Sequence, residues 1–233
     1  MEKFDFGGIE ILTFDCYGTL VDWEAGIAAG FRKAFGGRSD RPPDEALLEA
    51  YARHEARAEK PPYERYRDVA GRSFAATCRE FGAEPSMDEV HAFGEAVGDW
   101  PAFPDSADAL ARLAGRYRLG VITNCDDDLF ARSEARLGTR FTWVVTAEQV
   151  GSYKPDPRNF WAAIERIGEP TDRILHVAQS LYHDHVPARR LGLATAWIDR
   201  RSGRPGFGAT PPAEATPDLT APDMATFAEL ALA

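Results

Sequence analysis

The sequence has little cysteine: three residues in 233, Cys16, Cys78 and Cys125, an odd set with no C-x-x-C pair and no zinc-ligand spacing. Such a set does not build a disulfide framework and suits a reducing compartment. Positive charge is also scarce, with 27 Lys and Arg against 37 Asp and Glu and a formal net charge of −10. A chain this acidic lacks the electrostatic footprint that draws proteins to phosphate backbones or anionic lipid. Nucleic acid and membrane are therefore not expected partners, and a small-molecule substrate is. No apolar stretch approaches the roughly 18 residues of a membrane span. The opening MEKFDFGGIEIL has no basic segment leading into a long apolar one, so no signal peptide is read and the expected location is cytoplasmic. What is present is ordinary globular chemistry, 44% apolar and 27% charged, enough for one large domain or a core with a smaller partner.

The order of elements is informative. Ile9 to Phe14 is a short apolar run read as a buried strand, stopping at Asp15 with a turn at Gly18-Thr19. From there to about residue 100 the pattern is helical. Ile27, Phe31 and Phe35 recur every four residues; Pro42-Pro43 and Asp44 open a helix carrying Leu47, Leu48 and Tyr51. After Pro61-Pro62 comes a stretch with Tyr66, Val69, Phe74, Cys78 and Phe81 on its apolar side, and Ser86 to Glu89 reads as a capping box. Beyond Trp100-Pro101 strands and helices alternate: strands at Leu119 to Thr123, Trp143 to Thr146, Ile174 to Val177 and Thr195 to Ile198. Residues 201–218 read as a Gly/Pro-rich loop, and a last helix spans about Met224 to Leu232. Alternation of this kind predicts an α/β fold, a Rossmann-like parallel-sheet core covered on both faces. The expected organisation is a core of residues 1–21 and 101–233, with a helical cap of residues 22–100 inserted after the first strand.

In an open parallel sheet, ligands bind at the carboxyl ends of the strands. Those ends carry Asp15, then Thr123-Asn124, then Lys154 in the loop past the third strand, then Ala178 to Asp184. Two carboxylates, a lysine, a hydroxyl and an amide thus collect on one edge.

The segment Phe14-Asp15-Cys16-Tyr17-Gly18-Thr19-Leu20 resembles the nucleophile loop of the haloacid dehalogenase superfamily. Ile122-Thr123-Asn124 is similar to its second motif, Tyr153-Lys154-Pro155-Asp156-Pro157 to its third, and Val177 to Asp184 to its fourth. The four stand in the family's order over nearly the whole chain, and the helical insert matches its cap. The resemblance implies a hydrolase in which the Asp15 carboxylate attacks the substrate directly.

Phosphatase members carry a second Asp two residues after the nucleophile, which protonates the leaving group, and a metal-binding acid in the fourth motif. Here those positions are Tyr17 and Gln179. A phenol with an ordinary pKa near 10 is a poor acid at neutral pH, and a neutral amide is a poor substitute for a hard anionic ligand. Both features resemble the 2-haloacid dehalogenase branch, which implies metal-independent hydrolysis of a short 2-haloacid through an aspartyl ester, with no cofactor. On that resemblance Asp184 orients or deprotonates the hydrolytic water and Lys154 holds Asp15 ionised by lowering its pKa. Thr19, Thr123 and Asn124 supply hydrogen-bond donors to Asp15, substrate or halide. Tyr17, Gln179, Ser180 and Arg53 are the expected substrate contacts. The cap arginine that grips a substrate carboxylate in that branch has four candidates, Arg53, Arg57, Arg65 and Arg67.

Two positions depart from the branch: Phe160 stands where it usually has Tyr, and Leu181 where it often has Asn. The alternatives are an Mg²⁺-dependent phosphatase of the same superfamily and a non-catalytic binding member. A homodimer is compatible with the resemblance. His183 and His185 make no convincing metal pair, Cys16 and Cys125 are read as packing residues, and Asp126-Asp127-Asp128 as charge at a helix start. Tyr17, Trp23 and Tyr182 could wall an apolar pocket or simply pack between cap and core.

Overall fold

The computed structural model describes residues 4–233. Six parallel strands form one sheet in the order β3-β2-β1-β4-β5-β6. They are β1 (Ile11–Phe14), β2 (Arg118–Thr123), β3 (Trp143–Thr146), β4 (Ile174–Ala178), β5 (Ala194–Ile198) and β6 (Leu219–Ala221). Every residue of β1 and β4 is buried, as expected of strands covered on both faces. The strand order reverses between β1 and β4, which pair in register Phe14 with Val177. A crevice opens at such a switch point, outside the carboxyl ends of the two strands.

Between β1 and β2 the chain forms α1 (Trp23–Ala34), α2 (Asp44–Ala58), α3 (Tyr66–Glu80) and α4 (Met87–Glu95), then α5 (Ser106–Leu113). The first four pack around an aromatic centre. Phe31 stacks on Phe74 at 5.3 Å, Phe74 on Phe93 at 4.3 Å, and Tyr51 meets Phe31 edge-on at 6.3 Å. Gly94 lets α4 press against α3, since a Cβ there would lie 2.1 Å from the Arg67 carbonyl oxygen. Ser86 and Glu89 form the expected capping box at the start of α4. The apolar core of this insert is continuous with one face of the sheet through Tyr17, Val97 and Trp100.

The remaining helices are α6 (Asp127–Leu137), α7 (Ala147–Val150), α8 (Arg158–Ile167), α9 (Val186–Arg190) and α10 (Met224–Ala231). On the opposite face of the sheet, Phe160, Ala163 and Ile167 of α8 pack with Ile11, Ile122 and Val145. The sequence reading differs from this fold in three places, of which the unanticipated short helix α7 is one. The strand β6 after the Gly/Pro loop was not anticipated, because three residues carry no readable period. Asp126 does not cap its own helix: its carboxylate accepts from the backbone N–H of Tyr66 and Arg67, at the start of α3. No helix among the described residues is long and apolar enough to cross a membrane.

Candidate active site

The chain leaves β1 at Phe14 and turns at once. Leu20 and Val21 both donate backbone N–H to the Cys16 carbonyl, at 2.8 and 3.0 Å. The turn needs a left-handed residue, and Gly18 supplies it with φ 98°. Asp15 is thereby held at the strand end, buried, its own N–H bonded to the Val177 carbonyl across the switch point.

Lys154 joins the two carboxylates expected from the sequence. Its ammonium donates to Asp15 Oδ1 at 2.9 Å, to Asp184 Oδ1 at 2.7 Å and to the Ile122 carbonyl at 2.7 Å. All three N–H bonds of the group are therefore engaged. Thr19 donates to Asp15 Oδ2 at 2.7 Å, and Thr19 Oγ1 in turn accepts from the Gln179 N–H. Beneath Asp184 lies His176, with Nε2 at 3.1 Å from Asp184 Oδ1 and Nδ1 at 2.9 Å from Thr13 Oγ1. Asp184 Oδ2 is buried without a partner.

The electrostatics depart from the sequence expectation. Burial raises the Asp15 pKa, outweighing the attraction of Lys154 and the hydrogen bonds from Lys154 and Thr19. For Asp184 burial also pushes upward, but Lys154 and His176 together prevail and hold its carboxyl well below the usual range. Burial pushes the Lys154 ammonium down, and the two carboxylates more than offset this. Lys154 therefore pulls both carboxyls downward, and at Asp15 burial and the neighbouring Asp184 charge outweigh it.

The other expected residues are placed as follows. Thr123 Oγ1 faces the site, buried and unpartnered. Asn124 clamps the lysine loop, accepting from the Lys154 N–H at 2.7 Å and donating to its carbonyl at 3.0 Å. Tyr17 lines the cavity, but its hydroxyl is bonded to Ser133 Oγ at 2.9 Å and accepts from Cys125 Sγ at 3.3 Å. Burial raises that phenol well above its ordinary value. Ser180 also lines the cavity while capping the next turn, through His183 N at 2.9 Å. Gln179 Oε1 accepts from Thr210 at 3.3 Å.

None of the four candidate arginines reaches the cavity. Arg53 is exposed and ion-paired with Glu80, Arg65 pairs with Glu148, and Arg67 with Glu95, Asp126 and Asp128. Arg57 lines a separate surface cleft. The cap instead contributes Glu55, Glu59 and Tyr66, which the sequence reading missed. A signal existed for Glu55. It continues the inward series Leu47, Leu48, Tyr51 at helical spacing, so an acid falls on the apolar face of α2. His176 was likewise legible as the one polar residue in the apolar strand Ile174–Ala178.

The phosphatase alternative implies Mg²⁺, and the donor set does not fit it. The carboxylates of Asp15 and Asp184 are bridged by an ammonium, and position 179 offers an amide turned toward Thr210. Among the described residues no group of three or more His, Cys, Asp or Glu side chains is arranged to hold a metal.

Comparisons with known proteins agree with this arrangement. The family model of the haloacid dehalogenase-like hydrolases matches residues 9–184. The (S)-2-haloacid dehalogenase H-109 of Pseudomonas putida is 26% identical over 222 residues, covering 88% of this chain and 93% of that protein. A phosphoserine phosphatase of Thermus thermophilus is 30% identical over 158 residues, covering 66% of this chain and 61% of that protein. The solved structure of the L-2-haloacid dehalogenase of Xanthobacter autotrophicus superposes with a TM-score of 0.77 at 21% identity, covering 95% of this chain and 98% of that one. That last likeness speaks to the fold.

Proposed function

This chain belongs to the haloacid dehalogenase-like hydrolases, and within that family we propose that it hydrolyses a carbon–halogen bond in a short 2-haloacid, without metal, through an ester on Asp15. The observation that carries this reading is the state of Tyr17. Its hydroxyl is engaged by Ser133 and Cys125 and its pKa is raised, so the position two residues after Asp15 offers no general acid to a leaving group. A leaving alkoxide needs such a donor; a halide does not.

In the first step a carboxylate oxygen of Asp15 forms a bond to the halogen-bearing carbon, and the halide leaves with its bonding pair. Lys154 and Thr19 fix the carboxylate for attack. In the second step water adds to the ester carbonyl and its proton passes to Asp184 Oδ2, the buried oxygen with no other partner. The C–O bond between the Asp15 carbonyl and the substrate oxygen then breaks, the proton on Asp184 passes to the released oxygen, and Asp15, left as the acid, gives up the second water proton to solvent as the site opens. Residues 22–100 act as the cap, whose closure over Asp15 excludes bulk water.

The test is halide release from 2-chloropropionate and chloroacetate with EDTA present, beside release of phosphate from p-nitrophenyl phosphate with Mg²⁺. Halide without metal is the expected result. Phosphate alone, with a strict Mg²⁺ requirement, would replace the reading with the phosphatase one.

A further inference from the structure

The roof of the cavity is acidic. Glu55 lies on the last turn of α2, and Glu59 follows just past its end. Both side chains are buried against the site, Glu55 at 2% exposure and the Glu59 side chain at 8%. Their hydrogen bonds come from neutral groups. The Tyr66 hydroxyl donates to Glu55 Oε1 at 2.7 Å and Asn124 Nδ2 to Glu59 Oε1 at 3.1 Å.

Among the described residues no lysine or arginine is ion-paired with either acid, and the charge of Lys154 favours ionised Glu59 only from a distance. The three N–H bonds of Lys154 are engaged below, and the cap arginines are paired elsewhere or face another cleft. His183 comes nearest, with Nε2 at 3.8 Å from Glu59 Oε2, beyond hydrogen-bond reach. Burial lowers the His183 pKa to about 4, so the ring is neutral at pH 7, and its buried Nε2 has no partner. Thr123 Oγ1 and Asp184 Oδ2 also face the cavity unpartnered. The space left in the closed site is small, about 30 Å³.

A substrate carboxylate seated here would meet two acids above it, whose ionisation it would oppose, and find no guanidinium. An N–H donor or an ammonium would meet two acceptors that lack a counter-charge. We propose that Glu55 and Glu59 set the head-group preference of the site, favouring a small 2-halogenated molecule that carries an N–H donor, a primary carboxamide or an ammonium, over the free 2-haloacid. The proposal rests on the carbon–halogen reading for its reactive end, and on the roof alone for its head group. It agrees with the burial of both acids, which raises the Glu55 pKa to about 7 and that of Glu59 well above its ordinary value. A donor arriving at the roof relieves that cost, and a carboxylate adds to it.

The experiment has two arms at about pH 8, above the value of about 7 to which burial raises Glu55. In the first, calorimetry measures binding of propionamide, propylammonium and propionate, unreactive stand-ins for the three head groups. The expected result is that at least one donor head group binds about tenfold or more tighter than propionate, and that Glu59→Gln removes most of that preference. Propionate binding as tightly as both donors, with no change in Glu59→Gln, overturns the proposal. In the second arm, kcat/KM for halide release is compared between 2-chloropropionamide and 2-chloropropionate. Halide released with the carboxylate preferred leaves the dehalogenase reading standing and sinks the roof proposal. No halide from either, with the binding preference intact, sinks the dehalogenase reading and leaves the roof proposal standing.

Discussion

Asp126, at the end of the core loop after β2, grips Arg67 on the cap: its Oδ2 accepts from the Arg67 N–H at 3.1 Å and from Nε at 3.0 Å, while Oδ1 accepts from the Tyr66 N–H at 2.8 Å. The carboxylate is fully buried. It acts as an N-cap supplied from another part of the fold, satisfying orphan donors of α3 and favoured by the positive end of that helix. One side chain thus fixes the start of α3, which carries Tyr66, against the loop that carries Thr123 and Asn124. Asp126→Ala leaves those donors and Arg67 without their buried partner, at a cost of about 2–4 kcal/mol. The expected outcome is a lower Tm together with faster hydrogen exchange at the start of α3. A stable variant with unchanged exchange there would show that the apolar contact between cap and core holds the two together without it.

Among the described residues Lys154 is the only lysine or arginine touching the two buried acids at the heart of the site. Lys154→Met keeps the length and removes the charge, leaving Asp15 and Asp184 facing each other. One of them must then take up a proton, and the proposed nucleophile or the proposed water-orienting group is lost. Turnover is expected to fall by about a thousandfold or more. Asp15→Asn should abolish it, and near-normal activity in that variant would exclude Asp15 as the nucleophile. A single turnover in heavy-oxygen water, read by mass spectrometry, should place the label in the Asp15 carboxylate; label found only in product would mean that water attacks the substrate directly.

The framework of the site was legible because strand ends are legible. Apolar runs such as Leu119 to Thr123 and Ile174 to Val177 end in polar residues, and a parallel sheet brings those ends together. The cap was harder. Its helices were readable from Ile27, Phe31 and Phe35 or from Leu47, Leu48 and Tyr51, but which side chains reach the crevice depends on how each helix is rolled. With Glu55 turned inward, Arg53 and Arg57 at two residues either side cannot share its face. Thr210 was out of reach for another reason: it comes from the long Gly/Pro loop, whose path only tertiary contacts determine. Phe160, where the family branch usually carries tyrosine, packs edge-on against His176 at 5.0 Å and so supports the ring under Asp184.

His176 offers a separate handle on the second half of the reaction. It bonds Asp184 Oδ1 and is itself steadied by Thr13. Both His176 and Lys154 favour the ionised form of Asp184, against burial. His176→Leu removes one of the two supports, so the Asp184 pKa should rise and the acid limb of the kcat profile should move to higher pH. The ester formed on Asp15 should then accumulate, visible by mass spectrometry after rapid quenching. An unshifted profile with no accumulated ester would mean that His176 serves packing alone.

Glu55 makes stability itself depend on pH. Burial raises its carboxyl to about 7 from an ordinary 4.5, so the folded chain keeps a proton that the unfolded chain releases. The folded state therefore binds more protons between those two values, and stability falls as pH rises through that window. The stabilising contribution is complete below the unfolded value and is lost as pH passes the folded one, by an amount on the order of 3 kcal/mol at most. Glu55→Gln keeps the shape and an acceptor for the Tyr66 hydroxyl but has no proton to lose. Chemical denaturation from about pH 5 to about pH 8 should show wild type losing stability and Glu55→Gln declining less steeply. Parallel curves would mean that water or a rearranged roof solvates the Glu55 carboxylate, and the acidic roof would then exert little pull on an incoming donor.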